Sequence, residues 1–407
     1  MRLMLLQEER WFPTYAGSHK ANRLLMEALA RRGHECLAVC PALNANTPLE
    51  EFLATMAERG VALRRPSPWR FRYTLNGVEV DGFWTPELAR RAAHVEERIR
   101  RWRPDVVIVA DDPRGYLLAP CLAAAPGRVV FLVHNHRHLP FGPLAASPSE
   151  ERWREIGRAR RVVAVSRHGA AYLARHGGIS AAMLPVPLFD ESPPPRLGRF
   201  DNRWVTLVRP TVAKGVDLFL ALADRFPETP FAAVLTWGHA AEPGPLAALR
   251  RRPNVELLAP ADDFGEILAR TRVLLVPSLF PENFPLVAIE AMACGVPVLA
   301  SRVGGLTEAK LGVPFLLPIV PLVDGRADAP APPQEVGPWA AALASLLHDR
   351  TEWELVAEDS RRAALAHLSR SGMERWEAAL AEVGAAAPPD AWRAPRARAQ
   401  ARTGAAR

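Results

Sequence analysis

Disulfide chemistry has little to work with in this chain, which carries four cysteines in 407 residues: Cys36, Cys40, Cys121 and Cys294. They are too few and too scattered for a disulfide framework. Cys36-x3-Cys40 has no Cys or His pair downstream to complete a zinc site, so reduced, packed thiols are expected. Lysine is nearly absent. Only Lys20, Lys214 and Lys310 stand among 51 basic residues, so any lysine in a loop stands out. No run of 18 apolar residues occurs, which excludes a helix spanning a membrane. The apolar stretch Met1–Leu6 turns charged at Glu8-Glu9-Arg10, too short for a signal-peptide core, and reads as a first strand of a cytoplasmic protein. No repeat with a period of 20–50 residues is apparent.

What is there is an ordinary globular composition, 49% hydrophobic and 23% charged. That excludes a disordered or fibrous protein for most of the length and allows two or three domains. The charge is unevenly placed. Residues 1–190 hold 27 basic and 19 acidic side chains, residues 191–383 hold 19 and 24, and residues 384–407 hold 5 and 1. The front half is therefore basic in its own right, which bears on its partner.

Apolar, β-rich runs alternate with amphipathic helical patterns. Val106–Ala110, Val129–Val133 and Val162–Val165 read as buried strands in the first half. Trp204–Val208, Phe231–Leu235, Val255–Leu258, Val273–Val276 and Val296–Ala300 read the same way in the second. Such alternation makes parallel sheets covered by helices on both faces. The prolines of Phe189-Asp190-Glu191-Ser192-Pro193-Pro194-Pro195 preclude helix and central strand, and the charge changes sign there. The expected organisation is a Rossmann-like domain over 1–190, a Pro-rich linker over 191–203, and a second such domain with terminal helices over 204–383. A basic, Ala/Arg/Pro-rich tail over 384–407 is expected to be disordered.

Ligands of doubly wound sheets sit beyond the carboxyl ends of the strands. One segment there is Val276-Pro277-Ser278-Leu279-Phe280-Pro281-Glu282-Asn283-Phe284-Pro285-Leu286, running to Glu290. The pattern predicts a helix from about Asn283 or Phe284. If fully helical, the spacing puts Glu282 and Glu290 roughly 12 Å apart. That is too far for an acid/base pair of the glycosidase kind, whose carboxylates stand about 5–9.5 Å apart. It suits two grips on one elongated ligand, with an anion at the helix N-terminus between them. A second strand end, Val205-Thr206-Leu207-Val208-Arg209-Pro210-Thr211-Val212-Ala213-Lys214-Gly215, delivers two cations, as a diphosphate leaving group requires. A third runs into His134-Asn135-His136-Arg137-His138. Histidines at i, i+2 and i+4 converge on a metal only if the segment stays extended and brings further ligands, and none follows closely. Asp111 and Asp112 end another strand, either as caps or beside a ligand. Ser166 fits a helix N-cap as well as a site residue.

Together these segments resemble a GT-B glycosyltransferase of the retaining family 4 (glycosyl transferases group 1). The resemblance is carried by Glu282-x7-Glu290, then Ala291-Met292-Ala293-Cys294-Gly295-Val296-Pro297-Val298 and Gly304-Gly305-Leu306-Thr307-Glu308. The Arg209/Lys214-Gly215 loop and the Arg32-Gly33-His34-Glu35 turn fit as well. It implies two Rossmann-like domains facing across a cleft, with C-terminal helices. The implied activity is retaining, hexosyltransferase-type sugar transfer from a nucleotide-diphosphate sugar to a hydroxyl acceptor. Arg209 and Lys214 would clamp the diphosphate, Glu282 a sugar hydroxyl and Glu290 the ribose. Backbone N–H groups of Asn283, Phe284, Pro285 and Leu286 would contact the sugar, His134 would lie near the transferred carbon, and Gly17 would approach the donor phosphate. His136 and His138 receive no role.

Val208 stands where the family has a glycine. Leu235-Thr236-Trp237-Gly238-His239 lacks the usual second glycine, and Leu257 to Asp263 has none, so the nucleotide base is not specified. No Asp-x-Asp follows a strand, so no catalytic metal and no cofactor is implied. The basic front domain suggests an anionic acceptor or peripheral binding at the inner membrane surface; nucleic acid is not expected as a partner. The alternatives are a non-catalytic homologue that binds a sugar nucleotide or a partner, and a sugar-nucleotide epimerase on the same scaffold.

Overall fold

A computed structural model describes residues 1–14, 16–43, 48–189, 192–236, 243–261, 263–322, 330–370 and 372–386. Tyr15, Asp190, Glu191, Trp237-Gly238-His239, Asp262 and the tail beyond 386 lie outside the described residues.

Among the described residues the first domain carries nine strands: β1 (Arg2–Leu6), β2 (Glu35–Pro41), β3 (Arg64–Ser67), β4 (Arg70–Leu75), β5 (Val78–Phe83), β6 (Val106–Ala110), β7 (Val129–Val133), β8 (Arg161–Ala164) and β9 (Ala182–Met183). They form one sheet in the order β3-β4-β5-β2-β1-β6-β7-β8-β9. The second domain carries β10 (Trp204–Val208), β11 (Phe231–Val234), β12 (Val255–Leu258), β13 (Thr271–Val276), β14 (Val298–Ser301) and β15 (Leu316–Leu317), in the order β12-β11-β10-β13-β14-β15.

The central strands are buried on both faces because their apolar runs are continuous. In β1, Leu3 and Leu5 join the core on one side of the sheet and Met4 and Leu6 the core on the other. Helices cover both sides. Gly17–Arg31 lies over one face, and Leu88–Trp102 with Leu118–Ala124 over the other.

Two expectations need correction. The first sheet is not parallel throughout: β4 runs antiparallel to β5, with Leu75 opposite Val78, and β3 antiparallel to β4. The turn is Asn76-Gly77, with φ of 49° and 80°. Positive φ at both positions matches the tight hairpin turn that Asn-Gly favours. The terminal helices also divide. Val336–His348 and Arg350–Arg370 cover the second domain, burying Trp339 and Trp353. The last, Met373–Ala385, returns to the first domain. There Trp376 donates Nε1–H to the Pro185 carbonyl at 2.8 Å, and Arg32 pairs with Glu374 and Glu377, each at 3.1 Å.

Candidate active site

The carboxyl ends of β1, β7, β10 and β13 meet at a cleft of about 760 Å³ between the domains. All ten residues expected at the site (Gly17, His134, Arg209, Lys214, Glu282, Asn283, Phe284, Pro285, Leu286 and Glu290) line it.

On the second-domain side, Arg209 leaves β10 with φ 59°, a left-handed conformation uncommon outside glycine. A short 3₁₀ turn, Val212–Lys214, then leads to Gly215. A Cβ on Gly215 would stand 2.1 Å from the Pro277 carbonyl oxygen, so only glycine lets this loop lie against the end of β13. That approach brings Lys214 Nζ to 2.5 Å from Glu282 Oε2, while Ser278 Oγ donates to Glu282 Oε1. The Glu282 carbonyl accepts the Gly305 N–H at 2.7 Å, and a Cβ on Gly305 would collide with the Asn283 carbonyl at 1.7 Å. The Gly304-Gly305 pair therefore serves as the floor on which the 281–285 loop rests.

The helix begins later than its sequence pattern suggests. It spans Leu286–Ala293 with Pro285 as N-cap, so Glu282 sits in the preceding loop and the fully helical spacing to Glu290 does not apply. Pro285 has no N–H to offer, which removes it from the expected row of backbone donors. Asn283 is buried and its side chain points the other way. It accepts from Ser166 Oγ at 2.5 Å and donates to the Val133 carbonyl at 3.4 Å, clamping the two domains together. Ser166 is also the N-cap of helix Arg167–Gly177. Phe284 stacks on His367. Glu290 is 8% exposed and ion-paired with Lys20 of helix Gly17–Arg31. Lys20 went unassigned in the sequence. Lysine scarcity marked it, but it lies on a helix, not a loop, and its partner is 270 positions away.

The first-domain side is built from the end of β7. His134 Nε2 lies 2.7 Å from Asn22 Oδ1, and Asn22 in turn donates Nδ2–H to Gln7 Oε1 at 2.9 Å. Asn22 thus presents its carbonyl oxygen to the imidazole, which assigns the proton of His134 to Nε2. Burial holds His134 below the usual histidine range, so the ring is neutral near pH 7. The three histidines diverge. His136 is fully buried against His168 and Tyr172, with ring centroids 4.9 Å and 4.6 Å away, whereas His138 Nδ1 lies 3.0 Å from Asp111 Oδ2. Asp112 is a cap, accepting the N–H groups of Tyr116, Leu117 and Leu118. At the far end of the cleft, Leu235, Thr236, Pro260, Ala261 and Phe264 line the wall beyond β11 and β12.

Two doubly wound domains that meet at their strand ends, with cations and carboxylates turned to one cleft, define a GT-B architecture. The chain matches the model of "Glycosyltransferase Family 4" over residues 16–186 and that of "Glycosyl transferases group 1" over residues 203–349. It belongs to the group 1 glycosyl transferases of family 4. D-inositol 3-phosphate glycosyltransferase 2 of Catenulispora acidiphila is 34% identical over 149 residues, 35% of this chain and 31% of that protein. The alpha-1,3/1,6-mannosyltransferase alg-2 of Neurospora crassa is 36% identical over 113 residues, 27% and 21% respectively. The matched stretch thus spans between a fifth and a third of these relatives' length. Among solved structures, sucrose-phosphate synthase of Thermosynechococcus elongatus shares the fold with a TM-score of 0.64 at 17% identity, covering 95% of this chain and 98% of that one. HepE of Anabaena, in complex with UDP and glucose, does so with 0.64 at 16% identity, covering 94% and 100%.

Proposed function

We propose that this protein transfers a hexose from a nucleotide-diphosphate sugar to a hydroxyl acceptor. The observation that carries this reading is the single cleft in which Arg209 and Lys214 face Glu282 and Glu290, with the N-terminus of helix Gly17–Arg31 opposite. The diphosphate would lie between the two cations and that helix end, where developing negative charge is stabilised during departure. Glu290 would take the ribose hydroxyls and exchange Lys20 for them, and Glu282 would take a hydroxyl of the sugar. The N–H groups of Asn283, Phe284 and Leu286 remain for the sugar as well, with His134 close to the transferred carbon. HepE, whose structure holds UDP and glucose, supports a donor of this kind.

Retention of configuration rests on membership of the family; since no carboxylate is assigned as nucleophile, attack from the face of the departing diphosphate is the course proposed for it. No resident metal or cofactor is invoked, because Arg209 and Lys214 supply the positive charge the leaving group needs. The acceptor is proposed to be anionic or membrane-associated on the strength of the basic first domain, at the inner membrane surface of the cytoplasm. Among the described residues no helix is long and apolar enough to cross a membrane.

A melting-temperature screen of UDP-, GDP-, ADP- and dTDP-sugars tests the donor. A matched donor at a hundredfold excess over Kd adds about 2.7 kcal/mol and stands clear of the others. No stabilisation by any of them would count against the proposal. With the matched donor, turnover is expected to survive EDTA, and proton NMR of the product reads the anomeric configuration.

A further inference from the structure

The front half of the cleft holds a pair of side chains that the donor reading leaves unused. His138 closes the 3₁₀ turn His136–His138, lines the cleft, and keeps 31% of its side chain exposed. Its Nδ1 faces Asp111 Oδ2 at 3.0 Å, and the other oxygen of the same carboxylate accepts the backbone N–H of His134 at 3.0 Å. Burial works to raise the Asp111 carboxyl, but His138 and His134 outweigh it and leave it below the ordinary carboxylate range. An ionised carboxylate only accepts hydrogen bonds, so Nδ1 of His138 carries a proton toward Asp111 and Nε2 is the nitrogen turned away from it. Nε2 has no protein partner among the described residues. Asp111 stands at the end of β6 with φ 51°, a left-handed turn that Asp tolerates better than most residues.

His138 shares the cleft with Arg209 and Lys214. His19, in the first turn of helix Gly17–Arg31, is pushed down to about 3 by burial, and it also feels His134, Asp111, His138 and Arg209 together. Glu9, at the end of β1, lines the same part of the cleft and lies within electrostatic reach of His138. The titratable groups within electrostatic reach of His138 are therefore Asp111, just beyond β6, His134, just beyond β7, Glu9, past the end of β1, and His19 of the helix.

We propose that His138 is the catalytic proton acceptor for the attacking hydroxyl, with Asp111 as the positioning residue that fixes its tautomer. The acceptor would then be a polyhydroxyl compound bound in the front half of the cleft, with a second hydroxyl within reach of Glu9. In the step, the hydroxyl proton passes to His138 Nε2 as the oxygen bonds to the anomeric carbon. The bond from that carbon to the diphosphate oxygen breaks, the diphosphate leaves with the electron pair toward Arg209 and Lys214, and the imidazolium later returns its proton to water. This inference rests on the proposed transfer reaction.

The test follows release of nucleoside diphosphate from the donor chosen by the melting screen, with methyl glycosides and free polyols as acceptors and water as the acceptor of last resort. His138→Gln is expected to lower kcat roughly 100-fold or more. It should leave the donor dissociation constant unchanged and remove the loss of rate on acidification that a histidine base gives the wild type. Added imidazole should restore part of the turnover of His138→Ala. Asp111→Asn, which keeps a residue tolerant of the left-handed turn, should show a similar fall in kcat at unchanged donor affinity. An active wild type whose His138→Gln variant keeps both rate and acid limb overturns this inference alone. A wild type that binds and cleaves no donor overturns the transferase reading, and this inference with it.

Discussion

At the residue scale the site depends on a few charges that satisfy one another until a ligand arrives. Lys214 holds Glu282, and Lys20 holds Glu290. Removing one preorganised donor to a leaving-group oxygen typically lowers kcat by about 10²–10³. Lys214→Ala is therefore expected to lose that much nucleotide release while its far-UV circular dichroism stays that of the wild type. Glu290→Ala should lose most turnover and also the thermal stabilisation by the matched donor, since it removes the grip proposed for the ribose. A Glu290→Ala protein stabilised as strongly as wild type would show that the ribose lies elsewhere. The second-domain residues were legible because Arg209, Lys214, Glu282 and Glu290 lie within two short segments, each following a strand. Lys20, Asp111 and His138 were not. Lys20 acquires its meaning from a carboxylate in the other domain, and the Asp111–His138 pair joins the ends of two different strands. No local spacing encodes either contact.

At the scale of elements, continuous apolar runs such as Val106–Ala110 and Val129–Val133 announced strands that form at those same positions. The β4–β5 hairpin escaped notice because its strands mix Arg70, Arg72, Glu79 and Asp81 with their apolar residues. Asp81 is fully buried there among Arg70, Arg72, Arg98 and His94. The helix starts only at Leu286 because Pro285, itself extended, disfavours a helical residue before it, which apolar periodicity alone does not reveal. The short helix Leu306–Ala309 carries an unexpected charge at its end. Lys310 is 1% exposed, and its Nζ donates to the Val298 carbonyl of β14 at 2.7 Å. Burial pushes this amine from an ordinary 10.5 down to about 7. The unfolded chain keeps the proton up to about pH 10.5 and the folded chain releases it above about pH 7. The unfolded state thus binds more protons in that window, and stability rises with pH across it. Lys310→Met should melt above the wild type at pH 6, by a margin on the order of a few kcal/mol, and the gap should close toward pH 10. Parallel melts of the two proteins at pH 6, 8 and 10 measure this; a gap independent of pH would mean that Lys310 stays charged in the fold.

At the scale of the whole molecule, the two domains are joined by more than the chain between them. Ser166 and Asn283 meet across the cleft, Glu308 accepts the N–H groups of Arg167 and His168 at the start of a first-domain helix, and Lys20 reaches Glu290. The last helix adds a strap. After two helices on the second domain the chain crosses back, and Met373, Trp376, Ala379, Leu380 and Val383 enter the first domain's core. Composition placed these residues with the second domain because they follow it in sequence, and only the packing shows where they belong. The strap predicts two opposite outcomes for truncations that differ by few residues. Ending the chain at Arg370 would strip five buried side chains from the first domain, including Trp376 at 1% exposure. Trp376→Ala alone should cost about 3–5 kcal/mol, a large share of the roughly 5–15 kcal/mol that holds a typical fold. The truncated protein should therefore melt far lower, or fail to stay in solution, although the residues proposed to hold the nucleotide sugar are all present. Ending the chain at Ala386 removes only the basic tail and should leave melting temperature and turnover as they were. Equal melting temperatures for the two truncations would mean that the first domain holds its fold without the returning helix.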